Sequence, residues 1–102
     1  MKFKLPNTFS QNQISLARKS GYIPIHDRIS NKNSYVRKLT NQHYPRFHLY
    51  ISESNNEITF DLHLDQNMNR YQNQTAHNAD HDSREVKQEL IRIYQSIKEF
   101  LA

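Results

Sequence analysis

Arg46-Phe47-His48-Leu49-Tyr50-Ile51-Ser52 and Glu57-Ile58-Thr59-Phe60-Asp61-Leu62-His63-Leu64-Asp65, joined by Glu53-Ser54-Asn55-Asn56, decide the fold of this chain. Both runs alternate strictly between apolar and polar residues, the two-residue period of a strand with one buried face. Asparagine tolerates positive φ, so Asn55-Asn56 suits the tight turn of a β-hairpin. A turn at those two residues sets the register. Phe47 then faces Leu64, Leu49 faces Leu62 and Ile51 faces Phe60. Every apolar residue meets an apolar one, and a slip of one residue would destroy that match.

The same register decides the other face. His48 lies opposite His63, Arg46 opposite Asp65 and Tyr50 opposite Asp61. Opposed Cβ atoms lie about 4.5–5.5 Å apart, near enough for two imidazoles to share an ion or a proton. Asp61 and Asp65 flank His63 on one strand face.

Outward from the hairpin the signals weaken. Residues 1–9 read as a loosely held basic arm carrying Lys2 and Lys4. Ser10 with Gln13 makes a capping box, Phe9 can staple onto Ile14, and Ile14 with Ala17 gives a narrow apolar stripe. Gly21, the sole glycine, is the expected stop of that helix. Residues 23–39 suggest an irregular hairpin, with Pro24 confined to an edge or a non-strand conformation and a strand over Ser34–Leu39. Residues 66–82 form a long polar connection, a length that in a compact domain is functional or disordered. Asp82 with Glu85 opens a last helix from about Ser83 to Leu101, with Val86, Leu90, Tyr94, Ile97 and Leu101 on one stripe.

The expected architecture is a single α+β domain over residues 1–102. It is a two-layer sandwich with an N-terminal helix, an antiparallel sheet of three to four strands around the 46–52/57–65 hairpin, and a C-terminal helix. Both helices cover one sheet face, which leaves the polar face open.

Composition narrows the function classes. The chain has 102 residues and no cysteine, which removes disulfide scaffolds, thiol nucleophiles and thiolate zinc sites. It has neither a signal-like apolar stretch at the start nor a run long enough for a membrane span, so a cytoplasmic location is expected. Residues 1–46 hold nine Lys/Arg against one acid, Asp27, whereas residues 47–102 hold five against nine acids. That asymmetry suggests a basic face for a polyanion, RNA more than DNA, or for a protein partner. Arg28, Arg37, Lys38 and Arg46 are the candidate phosphate contacts, with Tyr22, Tyr35 and Tyr44 as stacking partners or as closers of the core edge.

The candidate metal ligands are His48, His63, Asp65 and His77, with Asp61 and Tyr50 in support. Imidazole and carboxylate donors suit zinc, manganese or iron and leave a position for substrate. This leads to a nucleic-acid-associated metal-binding domain, with hydrolysis as one chemistry the ion could supply and the question of enzyme or not left open. The competing expectation is a non-catalytic module that binds RNA or protein through the basic N-terminal half.

The blocks Ala17-Arg18-Lys19-Ser20-Gly21-Tyr22, Asp27-Arg28, Ser34-Tyr35-Val36-Arg37, Pro45-Arg46-Phe47-His48, Leu62-His63-Leu64-Asp65-Gln66, Tyr71 and Ala76-His77 resemble a group of small bacterial proteins with no established activity. The resemblance spans roughly residues 17–92 and implies a shared fold but no reaction. Where that group carries a Gly- and Glu-containing stretch after the Ala-His pair, this chain has Asn78-Ala79-Asp80-His81, which argues against a role for His81.

Overall fold

A computed structural model describes residues 1–27, 32–66, 79–80 and 83–102. Strands β1 (Lys2–Pro6), β2 (Ile23–Asp27), β3 (Lys32–Lys38), β4 (Arg46–Ser54), β5 (Glu57–Asp65) and β6 (Ala79–Asp80) build one antiparallel sheet. Its order is β1-β5-β4-β3-β2, and β6 also pairs with β5. Helix α1 (Gln13–Lys19) lies between β1 and β2, and α2 (Arg84–Ile97) follows β6 and ends in a 3-10 turn at Lys98–Phe100. The protein is α+β as expected, but the described sheet has six strands rather than three or four.

The central hairpin forms in the anticipated register, from Arg46 opposite Asp65 to Ser54 opposite Glu57. Asn55 and Asn56 turn it with φ of 54° and 65°. Two successive left-handed residues match the right-handed twist of the flanking strands. Leu49 and Leu62 are fully buried, and Phe47, Ile51, Ile58, Phe60 and Leu64 join them on the inner face. Leu16 and Ala17 from α1 and Val86, Leu90, Ile93 and Ile97 from α2 complete that core.

The chain opens with a strand and not with the helix. Lys2–Pro6 runs antiparallel to the first half of β5, with Phe3 opposite Phe60 and Leu5 opposite Ile58. Lys2-Phe3-Lys4-Leu5 alternates as a half-buried edge strand should, and Phe3 stacks on Phe60 with ring centroids 4.9 Å apart. Residues 2–6 are therefore part of the sheet and not a loose arm. Lysines on the outer side of such an edge discourage strand addition.

Helix α1 starts later than the capping box suggests. Its N-cap is Asn12, whose side chain accepts from the Ser15 backbone N–H at 2.9 Å. The Ser10 N–H instead donates to Phe100 O at 2.9 Å, so a nonlocal partner claims the expected cap. Ile14 is consequently 45% exposed and Leu16 takes its place in the core. Gly21 does follow the helix, at φ 90°, a conformation that favours glycine. At the other end of the chain, Ser83 caps α2 by accepting from Val86 N–H at 3.2 Å. Asp82 lies outside the described residues. Ile93 replaces Tyr94 in the buried stripe, and Tyr94 sits on the rim.

Glu89 is buried on α2 although it is charged. It accepts from Tyr22 Oη at 2.6 Å and from both Arg92 Nε and Nη2, at 2.7 and 2.8 Å. Arg37 Nη1 adds an ion pair at 3.6 Å. Burial alone would raise the Glu89 carboxyl, but these donors and cations hold it below the usual carboxylate range. The cluster ties α2 to β3 and to the end of α1.

Candidate metal centre

Strands β4 and β5 alternate, so Arg46, His48 and Tyr50 share the face opposite the helices with Asp61, His63 and Asp65. Strand β3 adds Ser34, opposite Tyr50, Val36, opposite His48, and Lys38, opposite Arg46. This face is less open than anticipated. Ser34, Val36 and His48 are buried, at 2%, 3% and 8% exposure.

Asp65 is the centre of the group. Its Oδ2 lies 3.0 Å from His48 Nδ1 and its Oδ1 lies 2.9 Å from His63 Nε2. Arg46 Nε stands 3.5 Å from Oδ2. Burial by itself pushes the Asp65 carboxyl up, but hydrogen bonds from His48 and His63, with the Coulombic attraction that accompanies them, hold it well below the usual carboxylate range. One ligand atom from each of His48, His63 and Asp65 fits within 4.8 Å of the others, so the group could hold a metal ion.

The imidazoles are themselves packed. The His48 and His63 ring centroids are 4.9 Å apart, and Tyr50 stacks on both, at 4.5 Å from His48 and 5.6 Å from His63. Tyr50 thus packs against both rings. Asp61 points to different company: its Oδ1 lies 3.7 Å from the Met1 ammonium, and Lys2 is its opposed residue on β1. His77 lies outside the described residues. Segment Ala79–Asp80 returns along β5 with Ala79 opposite Asp65.

Ser34, which no sequence pattern singles out, completes the group. Its Oγ lies 2.8 Å from His48 Nε2. Only the β3–β4 register brings Ser34 diagonally next to His48, and nothing local in the sequence reports that register.

Among the described residues, the basic candidates do not form one patch. Arg37 is on the helix-covered face with Glu89, while Lys38 and Arg46 are opposed on the histidine face. Arg46 also lies over the Tyr44 ring, 4.6 Å from its centroid. Arg28 is outside the described residues. Tyr22 and Tyr35 are each 1% exposed, so they close the core rather than offer a surface for bases.

An apolar cavity of about 360 Å³ lies elsewhere, between β1 and α2, lined by Phe3, Leu5, Leu90, Ile91 and Tyr94 among others. It is lined by none of the metal-centre residues. Among the described residues no helix is long and apolar enough to cross a membrane.

Comparison of the chain with protein-family models, curated proteins and solved structures found no match in any of the three. Function therefore has to be argued from the site itself.

Proposed function

We propose that this protein binds a divalent transition-metal ion, zinc or manganese, through His48, His63 and Asp65. The carrying observation is the convergence of two imidazole nitrogens on the two oxygens of one carboxylate, at 3.0 and 2.9 Å. An ion entering between them would replace hydrogen bonds that already hold the donors in place, so little ordering is left to do on binding. Two imidazoles and a carboxylate form a donor set that zinc, manganese and iron accept.

Three protein ligands leave room for a water molecule, whose pKa a zinc ion lowers to about 7. Hydrolysis is the chemistry such an ion supplies. Lys38 and Arg46, directly opposed on the same face, favour an anionic substrate such as a phosphodiester. The two arginines have separate roles: Arg46 stands beside Asp65 on the histidine face, whereas Arg37 serves the buried Glu89 on the other face.

The test uses protein purified without a histidine tag. Elemental analysis and calorimetric titration with zinc and with manganese should find one ion per chain. His63→Ala should abolish binding, and His43→Ala, on an exposed loop, should leave it unchanged. No binding by the parent at tens of micromolar would sink the proposal. A phosphodiesterase assay with and without chelator then tests the hydrolytic reading.

A further inference from the structure

An ionised carboxylate only accepts hydrogen bonds. The nitrogens that face Asp65 must therefore carry protons in the metal-free protein: His48 Nδ1–H donates to Oδ2 and His63 Nε2–H donates to Oδ1. A neutral imidazole has a single N–H, so His48 Nε2 keeps its lone pair. Ser34 Oγ, 2.8 Å away, donates into it. Ser34 is only 2% exposed and has Val36 on the same strand face, so bulk water is a poor substitute for this partner.

Metal binding inverts this arrangement. An ion can take His48 Nδ1 only through its lone pair, so the Nδ1–H bond must break. In the neutral ring the proton then resides on Nε2, where a new N–H bond forms. The ring's proton count is unchanged and solvent carries the exchange. Nε2 is now a donor, and its partner must accept. Among side-chain groups, a hydroxyl can do either by rotating about one bond.

We propose that Ser34 is the positioning residue of the metal centre, whose hydroxyl switches from donor to acceptor for His48 Nε2 when an ion takes Nδ1. The inference rests on the metal-binding reading and adds to it which tautomer of His48 is competent and what selects it. Partners of this kind fix the orientation and basicity of a ligating histidine. Ser34→Ala leaves a buried N–H unpaired in the loaded state. Ser34→Thr restores a hydroxyl on a residue type that strands favour.

Zinc titration of the parent, Ser34→Ala and Ser34→Thr, with nitrogen-15 NMR of the histidine rings, decides the matter. Ser34→Ala should bind zinc roughly 10–100-fold more weakly than the parent. Ser34→Thr should bind within a few-fold of it. In the parent, the His48 proton should sit on Nδ1 without zinc and on Nε2 with zinc. Equal affinity of parent and Ser34→Ala overturns the role of Ser34 while leaving the metal centre intact, and a His48 proton that stays on Nδ1 in the loaded parent overturns both, since His48 Nδ1 then holds no ion. A parent that binds no zinc overturns both. Should Ser34→Ala fail to fold, Ser34→Val takes its place, because valine has the shape of the Ser34→Thr side chain without its hydroxyl and should show the same loss of zinc affinity relative to Ser34→Thr.

Discussion

Asp65 Oδ2 lies 3.0 Å from His48 Nδ1, a contact that runs diagonally across the hairpin, because the residue directly opposite Asp65 is Arg46. The carboxylate thus serves three donors from two strands, and it is held below its ordinary pKa by the two histidines in spite of its burial. A carboxyl whose folded pKa lies under its unfolded value, about 3.9, stabilises the fold above that value and loses the contribution as pH falls through the acid range. Asp65→Asn should therefore lower stability at neutral pH by about 1–3 kcal/mol. Urea unfolding across pH should show the difference from the parent full at neutral pH and shrinking on acidification. A gap that stays constant would mean that the charge of Asp65 contributes nothing.

The hairpin is where local sequence and final structure agree most closely. Leu62 is fully buried opposite Leu49. Truncating it removes packing and leaves a cavity, so Leu62→Ala should cost about 2–5 kcal/mol. Leu62→Asp should cost more, since it buries an unpaired charge. Asn56→Gly should do the reverse and raise the melting temperature, because glycine adopts the φ of 65° without the steric penalty, a gain of up to about 1 kcal/mol. If Leu62→Asp melted like the parent, the register would be wrong.

Strict alternation on both strands and a turn that suits Asn55-Asn56 are enough to place His48 against His63. Strand β1 is equally legible in Lys2-Phe3-Lys4-Leu5, but its basic charge suggests a loose arm, and its partner strand begins only at Glu57. The start of α1 is ambiguous because Ser10 and Asn12 are both good caps, and the choice between them is made by Phe100 O, at the far end of the chain. Asp61 and Asp65 flank His63 alike on a strand. What separates them is that Asp61 meets the Met1 ammonium on the β1 side, whereas Asp65 meets His48 and Arg46. Ser34 is out of reach for the same reason: the β3–β4 register is set across residues 39–45, where the sequence has no turn signal as sharp as Asn55-Asn56.

Tyr22 and Glu89 give a second pH signature, with the opposite sign. Burial raises the Tyr22 phenol most, and its hydrogen bond to Glu89 and repulsion from that carboxylate add to this, outweighing Arg92 and Arg37. A phenol raised above its unfolded pKa, about 10, stabilises the fold fully below that value and loses the contribution as pH rises. Tyr22→Phe should cost about 1 kcal/mol at neutral pH through the lost hydrogen bond, and the gap to the parent should narrow in alkali. Tyrosinate absorbance should show Tyr22 ionising last, together with unfolding. Early ionisation of all six tyrosines in the folded state would contradict the buried pairing.

The proposed metal centre predicts a stability effect that separates binding from folding. His48 belongs to β4, and His63 and Asp65 to β5, so an ion held by all three links the two central strands of the sheet. An unfolded chain presents no such arrangement, so binding adds to the stability of the native state alone. The gain follows the ratio of free ion to Kd, about 2.7 kcal/mol at a hundredfold excess. Zinc should therefore raise the melting temperature of the parent in a concentration-dependent way. His63→Ala and Asp65→Asn should lose this response, because the first removes a donor and the second replaces an anionic carboxylate with a neutral amide. Leu62→Ala is the informative control, since it leaves the outer face intact while weakening the core. Its melting temperature should start lower, yet zinc should add the same free energy as in the parent. A zinc response that survives in both His63→Ala and Asp65→Asn would mean that the ion binds elsewhere on the chain.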